Sequence, residues 1–174
     1  MKHVRPLASA DPAQFRRIMG RFASSVTVIT AAVDGETRGM TANAFMSGSL
    51  DPPLCVISVA KRAHMHQHLQ TAGAFGVNFL AAGQEDLATH FAGRPMENLQ
   101  VTFGDFHGIP GIIGVSALIT ASVSAVHDCG DHSLFIGAII SMTADNSPPL
   151  LYHASRFAAL MPLREAAPLM IEFW

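Results

Sequence analysis

The chain is poor in charged residues for its length. Asp, Glu, Lys and Arg make up 14% of its 174 residues, while the hydrophobic fraction is 49%. An average soluble domain carries roughly 25% charged residues. Because so few charged side chains cover a lone domain poorly, we expect part of the surface to be hidden in a homodimer. The length predicts a single domain over residues 1–174, with its core at about residues 12–160.

Long hydrophobic runs are also absent. The apolar stretches at residues 54–60 and 134–140 are far shorter than the roughly 20 residues of a membrane-spanning helix, so we expect no membrane partner. The N-terminal segment MKHVRPLASADP has no apolar region of the signal-peptide kind, which predicts a cytoplasmic protein. Eleven basic and thirteen acidic residues nearly balance and form no basic block, which disfavours a nucleic-acid partner.

Several common catalytic motifs are missing as well. Cys55 and Cys129 lack CxxC spacing, so we expect neither a disulfide framework nor a structural zinc site. The sequence contains no GxGxxG fingerprint, no Walker A loop and no GxSxG nucleophile elbow. The glycines at positions 108, 111 and 114 have the wrong spacing for a dinucleotide fingerprint, and we interpret that stretch as a loop.

The segment HMHQH places three of the nine histidines close together, at His64, His66 and His68. On a helix, His64 and His68 would share one face, a geometry that can hold a metal ion. No third ligand is evident in the sequence. We therefore favour a solvated or capping histidine cluster and predict no metal site.

What is present is a series of short β-branched runs bounded by turn residues. These patterns predict a helix from Pro12 to near Ala23, helices at residues 63–71 and 84–91, and six strands, at residues 24–33, 39–46, 54–60, 74–80, 116–127 and 133–144. The tail at residues 150–160 shows no clear pattern. Strands with only short helices between them favour a closed or nearly closed antiparallel barrel over a doubly wound sheet.

Four segments, in order along the chain, carry a resemblance to a known family. They are GMTANAFMSGSLDPPLCVIS from Gly39, FGVNFLAAGQEDLATHFAG from Phe75, GDHSLFIGAI from Gly130 and PLLYHASRF from Pro149. Together they resemble the flavin reductase family with the FMN-binding split barrel, whose members supply reduced flavin to two-component flavin-dependent monooxygenases. The similarity extends from about Phe15 to Phe157.

The resemblance implies a fold and a reaction. The fold would be mainly β with short helices, a Greek-key-like antiparallel split β-barrel. The protein would bind FMN or FAD and transfer a hydride from C4 of NADH or NADPH to flavin N5, and reduced flavin would diffuse to a monooxygenase partner. An alternative is a flavin-binding electron carrier, or a structural dimer of the same fold, without reductase turnover. A haem-binding split barrel is a more distant alternative.

The resemblance also implies site residues. His132 would lie beside the nicotinamide, to bind and orient it. The residues expected to bind the flavin are Thr41, Ala42, Asn43, Ala44 and Ser47 near the ring edge, Ser58, Val59, Ala60, Lys61, Arg62 and His64 near the phosphate, and Phe91, Gly93, Tyr152, His153 and Phe157 around the ring or its tail. The family often has Ser or Thr in the turn after Arg62, where this chain has Ala63-His64-Met65. Backbone amides, Lys61, Arg62 and His64 would have to replace those hydroxyl donors.

The residues also permit plainer readings. Asn43 could mark a strand bulge, and Lys61 and Arg62 could be a solvated charge pair. Phe91 and Phe157 could serve as core or interface residues, and the segment from Gly130 to His132 could be a simple tight turn.

Overall fold

The computed structural model describes residues 11–161, which form three short helices and twelve strands. The helices are α1 (Pro12–Met19), α2 (His64–Ala72) and α3 (Glu85–Phe91). The strands are β1 (Ser24–Ser25), β2 (Thr27–Val33), β3 (Glu36–Ala42), β4 (Phe45–Leu50), β5 (Pro53–Ala60), β6 (Ala74–Phe79), β7 (Phe103–Phe106), β8 (Ile109–Ile112), β9 (Ala117–Cys129), β10 (His132–Ala144), β11 (Leu151–His153) and β12 (Arg156–Ala158). Residues 1–10 and 162–174 of the predicted single domain lie outside the described residues.

One antiparallel sheet contains seven of these strands, in the order β3-β2-β6-β9-β10-β5-β4. After β3, β4 and β5, the chain returns through α2 so that β6 lies beside β2, a Greek-key-like step. β1, β11 and β12 form a small second sheet, and β7 and β8 form a hairpin. The mainly β, antiparallel prediction is confirmed.

The large sheet curls upon itself at Asn43 and Ala44. These two residues are all that separates β3 from β4, the strands at opposite edges of the sheet. In a flat sheet, six interstrand spacings would hold those edges about 29 Å apart. The Cα atoms of Ala42 and Phe45 are three steps apart along the chain, a distance of at most about 11 Å. The two edges therefore meet where Asn43 and Ala44 lie.

Both faces of β2 are buried, which creates two apolar clusters. Ile29 belongs to a cluster with Phe75 and Phe135, against which Met65 and Leu69 of α2 pack. Val28, the residue before Ile29, belongs to a second cluster with Ala88 of α3, as does Val26 just before β2. Because successive side chains of a strand point to opposite faces, α2 and α3 pack on opposite sides of β2.

Four parts of the sequence prediction need correction. The predicted helix reaching Ala23 ends at Met19, and the predicted strand at residues 39–46 is interrupted at residues 43 and 44. The predicted loop at residues 108–114 contains β8, because His107 and Gly108 take left-handed φ angles and close a hairpin with β7. The unassigned tail forms the β11–β12 hairpin.

No helix within residues 11–161 has the length and hydropathy needed to cross a bilayer.

Candidate functional site

A cleft of about 690 Å³ opens between the end of β3, α3 and the β11–β12 hairpin. Its volume lies within the range of about 300–1,000 Å³ that is usual for small-molecule sites. Its lining residues are Val26, Thr41, Ala42, Asn43, Ala88, Thr89, Ala92, Arg94, Tyr152, Ser155, Arg156 and Phe157. Three segments far apart in the sequence thus meet at one cavity, which we call the first cleft.

The end of β3 forms the floor of the first cleft. The Thr41 hydroxyl donates a 2.7 Å hydrogen bond to the Ala88 carbonyl oxygen of α3. The Ala42 carbonyl accepts a 2.7 Å bond from the hydroxyl of Thr27 on β2. The hydroxyl of Thr41 therefore donates its one hydrogen bond to α3, and it can only accept a hydrogen bond from a ligand. Asn43 and Ala44 are exposed beyond it.

Phe91 holds α3 in place but does not line the first cleft. A Cβ atom at Gly39 would lie 2.5 Å from the Phe91 ring, so the ring packs directly onto the β3 backbone. Gly93 then takes a φ of 87°, which reverses the chain after α3 and brings Arg94 into the cleft. The sequence reasoning missed Arg94. Its signal was a basic residue directly after a glycine that ends a helix.

The β11–β12 hairpin forms the aromatic wall of the cleft. Tyr152 and Phe157 are paired across the hairpin, with ring centroids 5.9 Å apart in an edge-to-face arrangement. Ser155 and Arg156 also line the cleft, and His153 does not. Arg156 lies within the PLLYHASRF segment, but the resemblance gave it no role.

Six more of the predicted residues, which include His132, lie together at the end of β5. The Lys61 amide donates to the Asp131 carbonyl oxygen at 2.9 Å, and Ala60 pairs with His132 of β10. The Lys61 ammonium lies 3.0 Å from the Asp128 carboxylate. We call this group of residues, Ser58 to Arg62 together with His132, the β5 ridge.

Helix α2 begins directly after the β5 ridge. Ala63 at its N-cap makes no side-chain cap, so the first helix amides have no side-chain acceptor there. Such amides attract anions. His64, the first residue of the helix, is exposed, whereas Val59 is buried in the core.

His132 is oriented by its neighbour in the turn between β9 and β10. Its Nδ1 lies 2.7 Å from Asp131 Oδ1. Because an ionised carboxylate only accepts, Nδ1 must carry the proton, and Nε2 is left for another partner. The hydrogen bond from His132 also holds the pKa of Asp131 below its ordinary value.

A hydrogen bond links the β5 ridge to Ala44, the residue that follows Asn43 of the first cleft. The Ser58 amide donates to the Ala44 carbonyl oxygen at 3.0 Å. Ala44 lies one strand spacing from Ser58, and His132 lies one strand spacing from Ala60 on the other side of β5. With Ser58 and Ala60 two positions apart along β5, His132 is about 12 Å from Ala44. The structure thus brings five predicted residues into the first cleft and places the ridge residues beside it. Ser47 lies on β4, where it pairs with Cys55 of β5, and is apart from the ridge.

The histidine segment of α2 has a structural use. His66 Nε2 lies 2.9 Å from the hydroxyl of Ser133, and its ring meets Phe135 edge to face. Within the described part of the chain, no group of three His, Cys, Asp or Glu residues has the geometry to hold a metal ion.

Comparison with known proteins identifies the family. A family model described as a flavin reductase like domain matches residues 19–161. The chain belongs to this family.

Named relatives span almost the whole length of this flavin reductase-like chain. An NADH-dependent flavin reductase of Rhodococcus is 38% identical, covering 90% of this chain and 91% of the relative. The reductase component of a 4-hydroxyphenylacetate 3-monooxygenase of Thermus thermophilus is also 38% identical, covering 84% of this chain and 95% of the relative. The solved structure of the flavin reductase PheA2 is 37% identical, with a TM-score of 0.85, over 88% of this chain and all of that one.

The residues of the first cleft suit a flavin. A flavin has a flat polarisable ring, a polar edge and an anionic tail. The cleft offers an aromatic wall from Tyr152 and Phe157, small side chains at Ala42 and Ala88, and a polar strand end at Asn43. Arg94 and Arg156 add positive charge, and none of the lining residues within 11–161 is acidic.

Proposed function

We propose that this protein is an NADH:flavin oxidoreductase that reduces FMN or FAD and supplies reduced flavin to a monooxygenase. The observation that carries the proposal is the first cleft, where the end of β3, the turn after α3 and the β11–β12 hairpin converge. Those elements come from three of the four segments that resemble the family. The relatives named as NADH-dependent reductases and monooxygenase reductase components support the same reaction.

In the proposed reaction, the residues of the cleft bind and orient. Bound flavin supplies the chemistry, since its ring accepts a hydride from reduced nicotinamide. The end of β3 presents its backbone and the Asn43 side chain to the polar edge of the ring. Tyr152 and Phe157 provide a wall that excludes water. No side-chain nucleophile is required, because the protein contributes proximity and orientation.

His132 is the proposed nicotinamide-orienting residue. Asp131 fixes a proton on Nδ1, which leaves Nε2 of His132 to form a hydrogen bond with the nicotinamide carboxamide. The histidine need not transfer a proton. Its proposed role is therefore to lower the KM for NADH.

The phosphate of the flavin is proposed to bind at the start of α2. The backbone amides after Ala63 and the side chain of Arg62 are the donors, since Lys61 is paired with Asp128. These contacts replace the hydroxyl donors that the sequence lacks in this turn.

We further propose a homodimer in the cytoplasm. Helix α1 buries none of its residues, and Phe15, Ile18 and Met19 are each more than half exposed on it. Met46 and Leu50 of the edge strand β4 are exposed as well. A second copy would cover part of this apolar surface. The cytoplasm is proposed because it is where NADH is available for this reaction.

The primary test follows NADH oxidation by absorbance, with and without added FMN or FAD. We expect oxidation to require flavin, and NADPH to be a poorer donor. An electron carrier would instead retain a yellow flavin through gel filtration and leave NADH unoxidised. Oxidation that is no faster with flavin than without it would contradict the proposal.

Two histidine variants then test the nicotinamide role. His132→Ala is expected to raise the KM for NADH by about tenfold, the loss of one good hydrogen bond. His127→Ala is the matched control, because His127 is exposed on the same hairpin and lies outside both the first cleft and the β5 ridge. Equal effects of the two changes would contradict the assignment of His132.

A further inference from the structure

A second cleft, of about 780 Å³, adjoins the first. It lies between the C-terminal end of α1 and the β11–β12 turn, and its lining residues are Arg16, Arg17, Ile18, Gly20, Arg21, Ala154 and Ser155. The Ala154 amide donates a 2.8 Å hydrogen bond to the Gly20 carbonyl oxygen, which ties the end of α1 to that turn. Ser155 lines both cavities, so the two clefts are direct neighbours.

Positive charge is concentrated at these two clefts. Residues 11–161 contain eight Lys and Arg side chains and eleven Asp and Glu side chains. Five of the eight basic residues line the clefts, and none of the eleven acidic residues does. These five, which we call the arginine rim, are Arg16, Arg17 and Arg21 in the second cleft and Arg94 and Arg156 in the first. A stretch of chain with more acidic than basic residues therefore presents a locally positive field around the first cleft.

The side chains of the arginine rim are free to act over a distance. All five residues are exposed. In the part of the chain that the structure describes, the arginine that forms an ion pair is Arg38, and no carboxylate pairs with the rim. Exposed guanidinium groups on long stems lack the fixed geometry of a binding site. Their charge nevertheless attracts anions through the solvent, since no paired carboxylate cancels it.

Helix stabilisation explains only part of the rim. Arg16 and Arg17 lie in the last turn of α1, where cations interact favourably with the helix dipole. Arg21 lies beyond the helix, and Arg94 and Arg156 belong to other segments of the chain. The convergence of all five on two adjoining cavities therefore needs a further explanation.

A second copy of the chain on α1 would leave this field in place. The apolar stripe that the proposed dimer covers includes Phe15, Ile18 and Met19. At 100° per residue, Arg17 projects from the opposite side of the helix. A partner that covers the apolar stripe therefore leaves the side of α1 that carries Arg17 open to solvent.

We propose that the arginine rim steers anionic flavins from solution into the first cleft, and that Arg16, Arg17 and Arg21 raise the association rate without contacting the bound flavin. The inference rests on the proposed function, because a protein that releases reduced flavin must repeatedly capture oxidised flavin. The phosphates of FMN and FAD carry about two negative charges at neutral pH. The proposed function places the bound phosphate at the start of α2, so the second cleft acts during the approach of the ligand only.

The sizes of the clefts set the range over which the rim must act. If each cavity is roughly spherical, their centres lie about 11 Å apart, close to the Debye length of about 10 Å at 0.1 M salt. Coulomb's law in water, for three unit charges and a doubly charged anion at that separation, gives an acceleration of about tenfold at about 10 mM ionic strength. The acceleration falls below about twofold at about 0.5 M salt, where screening is nearly complete.

The test measures association and dissociation rates by stopped-flow fluorescence, for FMN and for riboflavin, which has the same ring and no phosphate. The variant R16Q/R17Q/R21Q of the full chain removes the three charges of the second cleft. R16K/R17K/R21K keeps the charges but loses the paired N–H donors of guanidinium. R38Q is the control for a charge lost outside both clefts. Circular dichroism checks folding, and R17Q alone, with an expected effect of about twofold, replaces the glutamine variant if that variant is unfolded.

At about 10 mM ionic strength, the association rate for FMN should fall about tenfold in the glutamine variant and less than about twofold in the lysine variant. The dissociation rate of FMN and both rates for riboflavin should stay unchanged, and the effect on FMN should disappear at about 0.5 M salt. Faster dissociation of FMN with an unchanged association rate, an equal loss for riboflavin, or no loss at all would overturn the proposal.

The reductase function is tested separately from the steering. Turnover of the unchanged protein at saturating FMN and NADH does not depend on the rate of capture. Its absence would contradict the proposed function, whereas normal turnover with unaltered association rates in the variants would contradict the steering alone.

Discussion

Replacing Thr41 with valine tests whether the hydrogen bond between β3 and α3 shapes the first cleft. Valine has nearly the shape of threonine, so the change replaces the hydroxyl with a methyl group that cannot form a hydrogen bond. The lost bond is the 2.7 Å contact from Thr41 to the Ala88 carbonyl oxygen. That carbonyl also accepts from the Ala92 amide at 3.1 Å. It is therefore not left without a donor, and the full desolvation penalty does not apply.

The expected loss in the free energy of unfolding is consequently near the middle of the range for a single bond, about 1 kcal/mol. For a domain of this size, that corresponds to a fall in Tm of about 3 °C. If the free energy of flavin binding falls by the same amount, the Kd for flavin rises about fivefold. The value of kcat should stay unchanged, because Thr41 touches no reacting atom in the proposed site.

Urea denaturation and flavin titration measure the two effects on the same preparation. Thr41→Ser is the matched control, since it retains the hydroxyl and should keep most of the affinity for flavin. If Thr41→Val binds flavin as tightly as Thr41→Ser and is equally stable, the contact between β3 and α3 does not shape the site.

Three other predictions concern single residues. Gly39→Ala should destabilise the protein by about 1–3 kcal/mol in thermal unfolding, because the new Cβ meets the Phe91 ring at 2.5 Å, and the added change Phe91→Leu should recover part of that loss. When the folded protein is treated with a maleimide, mass spectrometry should find the label on exposed Cys129 and none on Cys55. The reason is that burial raises the pKa of the Cys55 thiol to about 11, so little thiolate is available to react. Labelling of both cysteines would contradict the prediction. The hydrogen bond from His132 lowers the pKa of Asp131. The stabilising effect of that bond is therefore present above the ordinary aspartate pKa and is lost as the pH falls through the lowered value. Urea denaturation should find Asp131→Asn less stable than the parent at pH 7 and equally stable in strong acid.

Local signals made most of the large sheet predictable from the sequence. The predicted strand at residues 54–60 is an unbroken apolar run, and β5 is buried at four of its eight positions. The Gly130-Asp131 turn joins Cys129 to His132, as the hairpin signal indicated. Alternation and turn chemistry are local properties, so a single sequence is enough to read them.

The first cleft was only half predictable, because its walls meet through tertiary packing. Thr41, Asn43 and Tyr152 lie within the recognised segments. Thr89 and Arg94 enter the cleft because α3 packs against β3 and the chain then reverses. Nothing in the periodicity of residues 84–94 indicates which helix face would meet the end of β3.

The segments that resemble the family contain both residues that line the first cleft and residues that only support it, and the structure distinguishes the two kinds. Gly39 and Phe91 lie in different segments and serve one purpose, since the missing Cβ of the glycine makes room for the ring. That contact sets the distance of α3 from β3, and the bond from Thr41 to Ala88 then fixes its orientation. Phe91 therefore shapes the cleft without lining it. Substitutions at Gly39 and Phe91 should change stability and flavin affinity together, whereas substitutions at Asn43 should change flavin affinity alone.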